Sequence, residues 1–188
     1  MTLPTSEPTV VEAPFYLRDG RPLGIGPVTP ASRPIIEKAI ARLSPETSRR
    51  RFFTPRFRLS DRELDDLTIL DGVNRYAIGA SVRSPEGETE GVGVARFARM
   101  ADAPAVAEVA VLVVDAYQGQ GVGRMLLSRL ASAGIARGIA RLTGIVMRDN
   151  DPMLSLLRKY APGVAMRRAD DHVGFDMDVR TRFAPVAA

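Results

Sequence analysis

The stretch from Val111 to Arg124 has the residue types and spacing of an anion-binding loop. The apolar run Val111–Val114 is followed by glycines at 119, 121 and 123, after which a helical pattern begins. Glycines let a backbone approach a ligand closely. Free N–H groups at a helix start, together with the helix dipole, favour a negative charge there. The sequence therefore predicts a cradle for a phosphate group.

Two common phosphate-binding patterns do not fit this loop. Counted from Gly119 or Gly121, the dinucleotide pattern G-x-G-x-x-G demands a third glycine at Arg124 or at Leu126. A P-loop is excluded because no Gly-Lys-Ser/Thr follows. The alternative to a ligand site is a structural turn whose glycines only permit tight packing.

A carboxylate interrupts the apolar run that leads into the loop. Glu108 is the ionisable residue of Ala105–Val114, which we predict to be a central strand buried on both faces. Burying an unpaired carboxylate is costly, so such a residue usually has a partner or a task. Partial burial would raise its pKa towards the range of a general base. The structural alternatives are a Glu that faces outwards and a Glu paired with Arg96.

Periodicity and turn signals predict the elements that must position these residues. The fold class is α+β, with an antiparallel front half and one β-α-β-α unit behind it. An Asp-Gly turn predicts a short hairpin over residues 16–23. The other predicted strands are 76–82, 91–97, 105–114, 142–147 and 173–179, and the predicted helices start near Pro30, Ser44, Ser60, Gly121 and Asp151. Of the fourth helix we expect one face to point inwards, namely Met125, Leu126, Leu130 and Ala133.

Composition narrows the class of protein. The 188 residues include no Cys and one His, which excludes disulfides, a thiolate zinc site, a Cys nucleophile and a multi-His metal site. A net charge of +4 is too weak to predict nucleic-acid binding. No segment has the apolar length of a membrane span, and the N-terminus lacks the features of a signal peptide. We expect a cytoplasmic, metal-free monomer or homodimer with tails at 1–13 and 183–188 around one domain, 14–182.

Gln118, Gly121 and Gly123, between a strand and a long helix, resemble the Gln-x-x-Gly-x-Gly pyrophosphate motif of the GNAT superfamily of N-acetyltransferases. The stretch Arg148–Met153 is similar to the start of the helix after that family's fifth strand, and Leu43–Phe53 resembles the first helices of bacterial protein-lysine acetyltransferase domains. The resemblance covers about residues 15–180. It implies a GNAT-like twisted mixed β-sheet of six or seven strands flanked by about four helices.

The resemblance also implies an activity and a site. The activity is acyl-CoA-dependent N-acyl transfer, with acetyl-CoA as co-substrate and a primary amine, a protein lysine or a small amine, as acceptor, by direct attack in a ternary complex. Many lysine acetyltransferases of the superfamily place a base where Glu108 stands. Backbone N–H groups near Val111–Val113 would meet the oxyanion. The implied cofactor-binding residues are Val111, Leu112, Val113, Gln118, Gly119, Gln120, Gly121, Val122, Gly123, Arg124 and Asn150.

Asn150 matches the family's contact to the pantetheine arm, although an Asx turn before an Asp151 cap is the alternative. Seven residues later, where the family often has a Tyr acid, stands Leu157, and we predict that the nearby Tyr160 packs in the core. This departure keeps a second function open, a non-catalytic acyl-CoA-binding sensor or interaction module.

A basic and aromatic cluster lies between Arg49 and Arg58. It fits a helix end that packs its phenyl rings inwards with Arg outside, a nucleic-acid surface, or a wall of the acceptor groove.

Overall fold

The computed structural model of the protein describes residues 15–54, 59–161 and 163–180. The helices in this part of the chain are α1 (Arg33–Ile40), α2 (Pro45–Phe52), α3 (Asp61–Thr68), α4 (Val122–Ile135) and α5 (Asp151–Tyr160). The strands are β1 (Phe15–Tyr16), β2 (Pro22–Pro27), β3 (Arg75–Arg83), β4 (Thr89–Arg99), β5 (Val106–Val113), β6 (Arg141–Met147), β7 (Ala165–Arg168) and β8 (His172–Asp178). The predicted tails, 1–13 and 183–188, lie outside the described residues.

The strands form one mixed sheet in the order β1-β2-β3-β4-β5-β6-β8-β7. Only the pairing of β5 with β6 is parallel among the described strands; the others are antiparallel. This confirms the predicted mixed sheet, with eight strands rather than six or seven. The predicted hairpins are present as β1/β2 and β3/β4. None of the described helices is both long and apolar enough to cross a membrane.

Short-range capping explains where two helices begin. The Ser44 hydroxyl accepts a hydrogen bond from the Thr47 N–H at the start of α2. At the start of α3, Ser60 accepts from the Glu63 N–H while the Glu63 carboxylate accepts from the Ser60 N–H. This reciprocal pair is the predicted capping box, which satisfies donors that the helix itself leaves open.

Helix α4 covers one face of the sheet with an apolar stripe. Leu126 and Leu130 have no exposed surface and Met125 is 6% exposed, as the period predicts, whereas Ala133 is only half-buried. A Cβ on Gly93 of β4 would lie 3.0 Å from Leu126 Cδ1, so the absence of a side chain lets helix and sheet approach. On the other face, α1 packs against β4 and α2 against β5.

The sheet opens between β5 and β6. Their pairing covers three positions and ends at Glu108 opposite Thr143, after which β5 continues to Val113 with no β6 partner among the described residues. The prediction that this strand is buried on both faces is wrong. Ala107 is fully buried, but Glu108 is exposed and the side chains of Val111 and Val113 are half-buried at the opening.

Candidate active site

A cavity of about 450 Å³ fills the opening beside β5. Its walls come from the end of β5, the glycine loop that follows, and helices α2 and α5. The described residues that line it are Phe15, Thr47, Arg50, Arg51, Val111, Leu112, Val113, Tyr117, Gln118, Gly119, Gly121, Gly123, Arg124, Asn150, Pro152, Met153, Ser155, Leu156, Lys159 and Tyr160. Chain segments that are distant in sequence thus surround one cleft.

The glycine loop presents unused backbone donors to this cavity. Gly119 has φ +70° and Gly121 has φ +88°, a left-handed conformation that favours glycine. The first helical hydrogen bond of α4 runs from the Met125 N–H to the Gly121 carbonyl, and no side chain caps the helix start. The N–H groups of residues 119–123 therefore bind no other group of the described chain. Together with the dipole of this 14-residue helix, they have the features that favour a bound anion.

The loop is held in place by Gln118. Its Nε2 donates to the Val113 carbonyl at 3.0 Å and to the Thr47 hydroxyl at 3.1 Å, while its backbone N–H donates to the Asp115 carbonyl. This side chain ties the glycine loop to both β5 and α2. Its predicted contact with a ligand stays a prediction.

The cavity wall is positively charged. Arg50, Arg51, Arg124 and Lys159 line it, and no carboxylate does so among the described residues. Burial lowers the pKa of Arg51 to about 10, aided by repulsion from Arg96 and opposed by attraction to Glu108. All four side chains are cationic at neutral pH. A concave surface with one sign of charge concentrates a ligand of the opposite sign.

Asn150 both caps α5 and lines the cavity. Its Oδ1 accepts from the Met153 N–H at 3.2 Å, so Asn150 is the N-cap and Asp151, which we expected to be the cap, is the first helical residue. Because only Oδ1 takes part in this cap, Nδ2 remains a donor for a ligand. The turn and the predicted ligand contact are therefore compatible.

Tyr160 lies on the cavity wall rather than in the core, so the prediction of core packing is wrong. Its ring is half-buried, with the Arg124 guanidinium carbon 4.4 Å and the Lys159 Nζ 5.2 Å from the ring centroid. Leu157, at the position where the resembled family often has a tyrosine acid, has no exposed surface and belongs to the core. The phenol of Tyr160 thus belongs to a cation–π cluster near the glycine loop.

Glu108 lies at the last paired position of β5, just where the sheet opens. It is exposed, so the expected partial burial is wrong, and it does not line the cavity itself. Directly across β4 it faces Ala98, while Arg96 faces Ala110, so a direct cross-strand pair of Glu108 with Arg96 is also wrong. Arg96 is its diagonal neighbour on the same face of the sheet.

Two predicted binding residues point elsewhere. Gln120 does not line the cavity, because its side chain accepts from the Arg18 N–H and donates to the Ala116 carbonyl. Val122 is 1% exposed and packs in the core. Only their backbone amides belong to the loop. The other predicted binding residues line the cavity, namely Val111, Leu112, Val113, Gln118, Gly119, Gly121, Gly123, Arg124 and Asn150.

Of the basic and aromatic cluster, the part before residue 55 is described. Arg50 and Arg51 line the cavity and Phe53 is 50% exposed, which contradicts a helix end with its arginines outside and all of its rings inside. Phe52 does pack against the core, as predicted. The residues 55–58 lie outside the described chain. The sequence showed the run of arginines but did not predict that their side chains line the cavity. No local pattern predicted that Phe15, Ser155 and Lys159 line it as well.

Comparison with known proteins places this geometry in a family. Residues 47–161 match the Acetyltransferase (GNAT) family. The chain is 31% identical over 140 residues to the acetyltransferase PA5475 of Pseudomonas aeruginosa, which covers 74% of each chain. The GNAT domain of the S. lividans protein PAT is 31% identical, with a TM-score of 0.78 over 92% of this chain and 99% of that one.

A more distant structure shares the fold. The protein yncA of Salmonella typhimurium, solved with its cofactor acetyl-CoA, is 18% identical, with a TM-score of 0.64 over 88% of this chain and 99% of that one.

Proposed function

The chain belongs to the GNAT acetyltransferase family, and from this premise we propose that it transfers an acetyl group from acetyl-CoA to a primary amine. One observation carries the proposal. The donors of residues 119–123 and the start of α4 face a cavity whose charged side chains are all cationic among the described residues. Coenzyme A is a polyanion with a long neutral arm, and this cavity has a matching charged end and a strand-like wall.

In this proposal the pyrophosphate of acetyl-CoA binds the glycine loop, and its pantetheine arm lies along Val111–Val113. Those residues have strand geometry but no partner on the β6 side among the described residues. Their backbone groups that point away from β4 are therefore available to the amides of the arm, apart from the Val113 carbonyl, which accepts from Gln118. The Nδ2 of Asn150 is a further donor from the opposite wall.

The chemical step needs a base because an amine with a pKa near ~10.4 arrives protonated. We assign this role to Glu108, which takes the proton directly or through a water. The neutral amine then attacks the thioester carbonyl, and backbone N–H groups near Val111–Val113 stabilise the oxyanion. The oxyanion then collapses to the amide carbonyl, the C–S bond breaks and the thiolate leaves with the electron pair, while the proton that the attacking nitrogen must still lose passes to solvent water.

The departing thiolate has no tyrosine acid at the usual position, because Leu157 is there and is buried. A thiol with a pKa near ~8.5 is a good leaving group without a proton, so transfer remains possible. The same Leu157 favours the second candidate function, a non-catalytic acyl-CoA-binding sensor or interaction module. That candidate leaves the position of Glu108 beside the opening unexplained.

A direct test separates the two functions. Release of CoA thiol is followed with acetyl-CoA and a panel of primary amines, among them lysine peptides and small diamines, while binding of acetyl-CoA is measured by calorimetry. Binding with turnover supports the transferase. Binding without turnover on any amine supports the sensor, and loss of both overturns the assignment of the cavity.

A further inference from the structure

Two arginines near Glu108 form no ion pair with a described carboxylate, although carboxylates attract them from a distance. Arg51 of α2 lines the cavity, and Arg96 of β4 is half-buried on the sheet face that carries Glu108. Neither guanidinium forms a hydrogen bond or an ion pair within the described chain; the nearest ring to Arg51 is that of Phe52, 5.1 Å away. By contrast, the neighbouring Arg75 binds Asp66.

These two cations repel each other. Burial and then Arg96 lower the pKa of Arg51. Burial and then Arg75 lower the pKa of Arg96. Glu108 attracts both arginines, and Asp66, which pairs with Arg75, also attracts Arg96. With Arg75 and Asp66 included, these five side chains form a cluster that still has a net charge of about +1, and a partly buried excess charge is costly.

The surface beside this cluster suits an aliphatic amine. On β6, Thr143 lies opposite Glu108, and Ile145, two residues further along the same face, is 51% exposed. An exposed isoleucine on the neighbouring strand, two residues beyond the partner of Glu108, offers apolar contact to a methylene chain whose terminal amine reaches Glu108. The arginines then lie within reach of whatever the acceptor carries beside that chain.

We propose that the acceptor carries a carboxylate near its amine, and that Arg51 and Arg96 bind this carboxylate while Glu108 accepts the proton. The inference rests on the proposed transfer to an amine and names the class of that amine. Guanidinium groups suit the role because they bind carboxylates in a planar, two-bond geometry. The carboxylate belongs either to a residue flanking a peptide lysine or to a free amino acid, and the experiment distinguishes these sources.

Matched acceptors provide the test. The first pair is the blocked tripeptides Glu-Lys-Glu and Gln-Lys-Gln, which differ only in side-chain carboxylates. The second pair is free lysine and cadaverine, which differ only in the α-carboxylate. We expect kcat/KM to be at least about tenfold higher for the acidic member of one pair, and that pair identifies the source of the carboxylate.

Variants connect this preference to the two arginines. Arg96→Gln and Arg51→Gln should reduce the ratio of acidic to neutral acceptor towards one, because either change removes half of the anion site. The matched control is Arg62→Gln on α3, an exposed arginine outside the cluster, which should keep the wild-type ratio. Thermal denaturation confirms that each variant is folded, and if Arg51→Gln does not fold, Arg96→Gln alone decides.

Each outcome is decisive. A ratio below about twofold in both pairs, or a ratio that survives Arg96→Gln and Arg51→Gln, overturns the inference while leaving acetyl transfer intact. If acetyl-CoA binds but no acceptor is acetylated, the proposed transfer fails instead. Calorimetry of the two tripeptides on the CoA-saturated protein then decides between acidic recognition, seen as tighter binding of Glu-Lys-Glu, and its absence.

Discussion

The carboxylate of Asp115 binds Ser44, the N-cap residue of α2. Its two oxygens accept hydrogen bonds from the Ser44 N–H at 3.0 Å and from the Ser44 hydroxyl at 2.6 Å. The Thr47 hydroxyl adds a third hydrogen bond at 2.7 Å. Asp115 follows β5 and precedes the glycine loop, so α2, which carries Arg50 and Arg51, is anchored directly to the segment that forms the anion site.

Replacing Asp115 by Ala should destabilise the protein by about 1–2 kcal/mol at neutral pH, because three hydrogen bonds to an exposed carboxylate are lost. Asp102→Ala, an exposed acid with no such bonds, is the control. Denaturant unfolding of the three proteins measures the difference. Equal stability of Asp115→Ala and Asp102→Ala would show that the anchor contributes nothing.

The hydrogen bonds between Asp115 and Ser44 also predict that the stability of the protein depends on pH. Burial opposes the ionisation of Asp115, but the hydrogen bonds from Ser44 and Thr47 outweigh it, so the pKa of Asp115 is lowered. The anchor therefore contributes its full stability above the unfolded-state pKa, about 3.9, and loses it as the pH falls through the lower folded-state value. Wild type and Asp115→Ala should converge in stability in acid. A gap that stays constant from pH 7 to pH 3 contradicts this.

Gly123→Asp should weaken cofactor binding without unfolding the protein. A Cβ at Gly123 would lie 3.6 Å from Val113 Cγ2 and 3.7 Å from Leu156 Cδ2, which is ordinary contact. An acid in the first turn of α4 is favourable for the helix, yet it places a negative charge where the pyrophosphate should lie. We expect the Kd for acetyl-CoA to rise at least about tenfold by calorimetry. Gly123→Ala is the control that separates charge from bulk, and equal affinities of the two variants would argue against an anion site.

Glu108→Gln should slow turnover by about 10²–10⁴-fold, the usual loss for a general base. Acetyl-CoA affinity and thermal stability should not change, because Glu108 is exposed and lies outside the cavity lining. Glu37→Gln, an exposed glutamate on α1, is the control. If initial rates of Glu108→Gln stay within about threefold of wild type, another group accepts the proton.

Two variants of Tyr160 distinguish the role of its ring from the role of its hydroxyl. Tyr160→Phe keeps the ring beside Arg124 and should leave kcat within about threefold, whereas Tyr160→Ala removes the cation–π contact and should raise the KM for acetyl-CoA. Steady-state kinetics against acetyl-CoA measure both constants. A loss of about 10²-fold in kcat for Tyr160→Phe, with unchanged thermal stability, would instead identify Tyr160 as the acid that protonates the thiolate.

Local signals predicted the elements whose causes are local. The caps at Ser44 and Ser60, the stripe of α4 and the glycines of the loop are properties of a few neighbouring residues, and the structure confirms them. Strand β1, two residues long, is predicted by its Asp-Gly turn and not by a period, whereas β7, four residues long, has no such turn signal and pairs only with β8.

The exposure of Glu108 and the direction of Arg51 depend on tertiary packing. Glu108 is exposed where the pairing of β5 with β6 ends. One residue later the two backbones are still close, because a Cβ on Gly144 would lie 3.1 Å from the Val109 carbonyl and 2.9 Å from the Phe175 ring. Arg51 reaches the cavity because α2 lies on β5, more than fifty positions later in the chain. Neither relationship has a signal in the neighbouring residues.

Because of the opening between β5 and β6, the free energy of unfolding should depend on the concentration of a ligand that binds there. A strand without its neighbour in the middle of a sheet has backbone amides that exchange readily with solvent, and a ligand bound there acts as the missing strand. By mass action, a ligand at 100 times its Kd stabilises the folded state by about 2.7 kcal/mol. If the proposed acetyl-CoA is that ligand, its concentration shifts the population of the folded, protease-resistant state independently of how fast the protein turns over.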